Sequence, residues 1–110
     1  MLKDDSIRIR HMLDAALEAE NFIIGKHRTD FDEDRKLELA LVKCIEIIGE
    51  AASSVSKECR DEFPQIPWAE IIGMRNRLIH AYFEINLDIL WKTLTEDLPP
   101  LISDLKNIIK

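Results

Sequence analysis

The sequence predicts an all-α protein, an up-and-down bundle of four to five helices whose last helix is kinked or broken at Pro99-Pro100. Three observations predict it. Only three Gly and four Pro among 110 residues leave few places for turns. Apolar residues recur at the three-then-four spacing of one helix face over most of the chain. The 46% apolar and 33% charged content are ordinary for a soluble globular protein of one core.

The first helix is expected from Asp5 or Ser6 as N-cap, with Ile9, Met12, Leu13, Ala16, Leu17 and Ile23 on one face and an end near Gly25. "KHRTDFDED" reads as a polar connection, in which Thr29 or Asp30 can cap the next helix and the carboxylates suit its dipole. That second helix runs from about Asp32 to Glu62, with a stripe through Leu37, Leu41, Cys44, Ile45, Ile48, Ala52, Val55 and Cys59. Ala40, Ile47, Ala51 and Ser54 fall on another flank, where small side chains let a further helix come close. That flank suits either a dimer contact or the interior of a monomeric bundle. "FPQIPW" ends the helix, because Pro64 and Pro67 restrict the residues before them, and a third helix follows over Pro67 to Tyr82. A fourth starts at "INLDIL", with Asn86 as cap and Ile85 packing on Leu90. Pro99 and Pro100 then leave one bent helix or two short ones. With no repeat, low-complexity stretch or long linker, residues 1–110 are expected to be a single domain.

Composition removes several classes of function. No apolar run approaches the roughly 20 residues that span a membrane, and "MLKDDSIRIR" is too charged for a secretory h-region, so a cytoplasmic protein without membrane contact is expected. Cys44 and Cys59, fifteen positions apart on what reads as one helix, would lie roughly 22 Å from each other and cannot pair. They and His11, His27 and His80 show no zinc-ligand spacing, so neither a metal nor a cofactor is expected. A net charge of −6 argues against broad, non-specific nucleic-acid binding, since proteins that grip many phosphates carry a basic excess. Lys3, Arg8 and Arg10, and Arg75 with Arg77, are local basic exceptions.

"RNRLIHAY", residues 75–82, is the unusual stretch. With 100° per residue and Arg75 at zero, Trp68, Ile71, Ile72, Leu78 and Ile79 all fall within roughly 60° of it, which puts a guanidinium inside the apolar stripe. Such a group must meet a carboxylate, carbonyls, a wet cleft or a phosphate. Tyr82 lies about 20° from Arg75, whereas Asn76 and His80 sit four apart on a flank roughly 100–140° away. Three arrangements join the two strips: an arginine folded toward His80, a helix that ends before Tyr82, or a second copy across a two-fold axis. A cleft shared by two copies is preferred. The set suits phosphoryl transfer on RNA, with arginine gripping a phosphate, histidine carrying a proton and Tyr82 stacking or donating. The plainer reading makes Arg75 the ion-pair partner of Glu46 or Glu50.

"PWAEIIGMRNRLIHAYFEINLDILWKTLTEDLPPLI", preceded by "IEIIGEAA", resembles the HepT-like toxin ribonucleases of the HEPN superfamily over nearly the whole chain. The family pattern of Arg, a polar residue, a gap, His, any residue and Tyr is matched by Arg75, Asn76, His80 and Tyr82. The resemblance implies a HEPN-type helical bundle that forms a homodimer with two motifs facing one cleft. It implies a metal-independent endoribonuclease, the toxin of a type VII toxin–antitoxin system, that needs no cofactor. Arg75 and His80 are then catalytic and Asn76 supports them. Tyr82 becomes the site of AMPylation by an MntA-like minimal nucleotidyltransferase antitoxin, where added bulk and charge would exclude an RNA phosphate. A second reading is a non-catalytic subunit that holds a nucleotide or substrate for a separate nucleotidyltransferase.

Overall fold

The computed structural model describes residues 1–79 and 84–109. Among the described residues six α-helices follow one another: α1 (Lys3–Phe22), α2 (Arg35–Ser54), α3 (Lys57–Glu62), α4 (Trp68–Leu78), α5 (Leu87–Lys92) and α6 (Leu98–Ile108). A 3-10 turn at Arg28–Asp32 precedes α2, and a π turn at Thr93–Asp97 joins α5 to α6 as one continuous, kinked helix. The described residues hold no strand, and only Ile79 and Ile85 pair, as an isolated antiparallel bridge. The all-α bundle expected from the sequence is the fold found.

α2 is the central element, packed by α1 on one side and by α4 on another, while α6 closes over α1. Ile9, Met12, Leu13 and Ala16 of α1 meet Leu41, Ile45, Ile48 and Ala52 of α2 in the core, with Trp68, Met74, Leu78, Leu98 and Leu105 completing it. At Gly49 the α4 backbone crosses α2: a Cβ there would stand 3.4 Å from the Ile71 carbonyl oxygen and 3.5 Å from that of Ile72, in ordinary contact. Gly25, after α1, takes φ of +75°, a left-handed turn that glycine adopts without a steric cost.

Four boundaries differ from the sequence expectation. α1 begins at Lys3, and Asp5, expected as a cap, lies buried inside its first turn. α2 is capped by Asp34, whose side chain accepts the Leu37 N–H at 3.0 Å, and it ends at Ser54 instead of Glu62. The chain turns extended at Val55, and Ser56 caps the short α3 by accepting the Cys59 N–H at 3.2 Å. Cys44 and Cys59 therefore sit on separate helices, both buried as free thiols, and burial pushes the Cys44 thiol up to about 11. α4 stops at Leu78 instead of Tyr82, because Ile79 turns extended to bridge Ile85 while the Asn86 N–H donates to the Leu78 carbonyl at 2.7 Å.

At Pro99-Pro100 the helix runs on. Neither proline has an N–H to donate, and the wider turn before them absorbs the loss: the Leu98 N–H reaches back to the Thr93 carbonyl. The hydroxyls of Thr93 and Thr95 donate to the Ile89 and Trp91 carbonyls, each at 2.8 Å. Among the described residues no helix is long and apolar enough to cross a membrane.

Candidate functional site

α4 starts directly after Pro67 and buries Trp68, Ile71, Met74 and Leu78. Trp68 anchors the first turn through its indole N–H, which donates to the carbonyls of Arg60 (3.2 Å) and Phe63 (3.1 Å). The buried set includes Met74, which rotates the centre of the apolar stripe by roughly 50° from Arg75. Arg75 thus stands at the edge of that stripe, not in its middle. Its side chain is 51% exposed, and the sequence-based expectation of a buried guanidinium is corrected accordingly.

At that edge Arg75 donates from Nε to Glu46 Oε1 of α2 at 2.8 Å. Lys43 Nζ lies 3.9 Å from the other oxygen of the same carboxylate, which is 27% exposed. An ion pair this open to water adds about 0–1 kcal/mol of stability, so orientation of the arginine is its larger effect. The contact uses one of the five guanidinium N–H donors, and the rest have no partner among the described residues. Arg75 and Asn76 line an open groove of ≈ 210 Å³ together with Glu46, Glu50 and Ser53 of α2 and the half-exposed Ile72. Glu50 therefore shares the groove, although Glu46 makes the contact. Ser53 and Ser54 both donate their hydroxyls to the Glu50 carbonyl, at 2.7 and 3.1 Å.

Asn76 is exposed beside Arg75. Arg77 points away, donating to the Glu70 carbonyl at 3.2 Å and lining a different groove against α6. His80 and Tyr82 lie outside the described residues, so the distances from Arg75 to them are not part of the site's geometry. The flanks of that segment are held together by the Ile79–Ile85 bridge and by the Asn86 N–H, which donates to the Leu78 carbonyl, while the Asn86 side chain accepts the Ile89 N–H at 3.0 Å to cap α5. Sequence reasoning missed Gly49, Ser53 and Ile72 as parts of this groove. A glycine and a serine pair inside a helical pattern were the available signals.

The arrangement can bind an anion. A half-exposed guanidinium with unspent donors, fixed by one carboxylate and flanked by an amide, presents the planar fork that phosphate oxygens accept. Among the described residues no group of three His, Cys, Asp or Glu side chains converges as a metal site requires.

The comparisons with known proteins agree with this chemistry. A family model described as ribonuclease HepT-like matches residues 12–108. "Putative RNase TTE0752" of Caldanaerobacter subterraneus is 43% identical over 81 residues, covering 74% of this chain and 72% of that protein. "Probable ribonuclease HepT" of Thermococcus cleftensis is 41% identical over 81 residues, 74% of each chain. "Putative RNase MJ1380" of Methanocaldococcus jannaschii is 34% identical over 97 residues, 88% of this chain and 89% of its own. No solved structure matches the chain. With nearly the whole sequence covered by the family model, the chain belongs to the ribonuclease HepT-like family.

Proposed function

We propose that the chain is a metal-independent endoribonuclease, the toxin of a type VII toxin–antitoxin pair, in which Arg75 and His80 cut RNA and Asn76 supports them. The observation that carries this reading is the Arg75 guanidinium, held by Glu46 in an open groove with most of its donors unpartnered among the described residues, in a chain whose relatives are named as ribonucleases. In the proposed reaction the ribose 2′-oxygen attacks the neighbouring phosphorus and the bond from phosphorus to the 5′-oxygen breaks. A 2′,3′-cyclic phosphate and a 5′-hydroxyl result. The 2′-hydroxyl proton must leave and the 5′-oxygen must gain one, and an imidazole that titrates near neutral pH serves both transfers. Arg75 neutralises the charge that builds on the non-bridging oxygens.

In this reading the active form is a homodimer whose two motifs face one cleft, in the cytoplasm. Two copies supply two imidazoles, one able to take a proton while the other gives one. The partner is an MntA-like minimal nucleotidyltransferase that transfers AMP to Tyr82. The adduct carries bulk and negative charge, which would repel an RNA phosphate from the Arg75 groove.

The test is cleavage of RNA by the purified chain, free of its partner and of AMP, in the presence of a chelator. His80→Ala is expected to abolish cutting with the helical signal intact. Cutting that survives the change would sink the proposal, and so would RNA left whole by a chain that binds free nucleotides in calorimetry, the behaviour of a non-catalytic subunit. Sedimentation reports the dimer, and mass spectrometry after co-expression with the nucleotidyltransferase reports AMP on Tyr82.

A further inference from the structure

A second groove, of ≈ 170 Å³, lies on the other side of α2, where α1 crosses it. Arg8 and His11 of α1, one turn apart and both exposed, line it with Ile47, Ala51 and Ser54 of α2. Glu50 belongs to both grooves. So does the end of α2 as a unit: Ser53 lines the Arg75 groove and Ser54 the Arg8 groove, and each hydroxyl is turned onto the Glu50 carbonyl, which leaves its oxygen lone pairs to accept.

Arg8 is the more telling residue. It has no ion pair or side-chain hydrogen bond among the described residues, nor has His11, although the chain carries six more acids than bases and Glu50 lines the same groove. Arg28, by contrast, is spent on Asp32 and Asp88. Arg8 and His11 therefore keep their donors available, among the described residues, at the wall of a groove that shares Glu50 with the groove of Arg75.

We infer that Arg8 and His11 form a second phosphate-binding subsite, which grips the RNA backbone away from the bond being cut. The inference rests on the ribonuclease reading and deepens it by fixing the substrate class as a single strand that crosses the end of α2. Helices packed side by side keep their axes about 8–10 Å apart, so side chains on α1 and α4, either side of α2, are separated by roughly 10–20 Å. A dinucleotide, with one phosphodiester, reaches only one of the two subsites. The Ser53 and Ser54 oxygens and the Glu50 carboxylate lie between them, where they can accept from ribose 2′-hydroxyls, a contact that DNA does not offer.

The experiment uses the full chain carrying His80→Ala, which the ribonuclease reading expects to hold RNA without cutting it. RNA oligonucleotides of two, four, six and eight residues are bound in anisotropy titrations, so that the ribose 2′-hydroxyls stay in place; cleavage is read in the His80 background. Affinity is expected to rise with length beyond two residues. In Arg8→Ala/His11→Ala the hexamer should lose about tenfold or more, and its salt dependence should flatten by about 0.7 per lost phosphate contact. Dinucleotide binding and dinucleotide cleavage should remain as in the parent, and Arg8→Lys should keep part of the gain with length. A hexamer bound equally well by the double variant overturns the subsite alone, and so does a loss that is the same for dinucleotide and hexamer. A parent protein that binds none of the oligonucleotides overturns both the subsite and the ribonuclease reading.

Discussion

Two long-range polar contacts hold α-helical segments of this protein together, and they differ in everything except length. Asp5 accepts the Ser56 N–H at 2.8 Å and its hydroxyl at 2.7 Å, across 51 residues, from a position only 4% exposed. Glu46 accepts the Arg75 Nε–H at 2.8 Å, across 29 residues, with the arginine half in water. The first contact spends every donor that Ser56 has and fixes where α2 ends. The second engages one donor of five among the described residues, on an arginine that lines a groove. Hydrogen-bond distance alone does not separate a clasp of the fold from a device of the site; exposure and unspent donors do.

The largest effect expected from breaking this contrast is at the exposed contact. Arg75→Ala should lower RNA cleavage about 10²–10³-fold, the loss typical of removing one group that meets transition-state charge. The melting temperature should hardly move. Next, Asp5→Ala should lower the melting temperature by roughly 5–10 °C, because it strands the Ser56 N–H, while cleavage per folded molecule persists. A third, smaller effect comes from Glu46→Ala. Stability should fall by at most about 1 kcal/mol. Removing a negative charge from the groove should lower KM, whereas the less ordered Arg75 should lower kcat about three- to tenfold. Unchanged kcat and KM per folded molecule would show that Glu46 only holds the fold.

The smallest effect is one of pH. The Ser56 N–H and hydroxyl hold the Asp5 carboxyl below the ordinary aspartate range, so it binds a proton less readily folded than unfolded. The stability it contributes is fully present above the ordinary aspartate value and is lost as pH falls through the depressed folded value. Asp5→Asn should flatten that acid limb of the stability curve: its loss relative to the parent is largest near neutral pH and shrinks as pH falls, as read by denaturation at several pH values. An unchanged acid limb would break the assignment.

How much of this was legible in the sequence follows from how local each cause is. The core faces of α1 and α2 were readable, since Ile9, Met12, Leu13, Leu41, Ile45 and Ile48 are buried as their spacing requires. Asn86 was readable as a cap because its partner is three residues away. The end of α2 was not. The apolar period runs on through Val55 and Cys59, both buried, and the residue that stabilises the break, Asp5, is far off in the chain. α4 ends early for a similar reason: Ile79 finds a bridge partner in Ile85 and Leu78 a donor in Asn86, neither visible as periodicity. At the site, the anomaly of Arg75 was legible as a charge close to an apolar stripe. Its true position was not, because leaving Met74 out of the stripe turned the helix by half a side chain. Residues 80–83 carry His80 and Tyr82 and are outside the described structure, so their roles rest on the motif.

Gly49 has one more consequence. Because the near wall at that point is main chain, with carbonyl oxygens of Ile71 and Ile72 facing a bare Cα, the spacing of the two helices beneath Arg75 is set by peptide geometry and not by a rotamer that can flip. A methyl at that point would meet both oxygens at ordinary contact distance, whereas a branched side chain would press on the main chain of α4 and widen the aperture without touching a single polar group of the site.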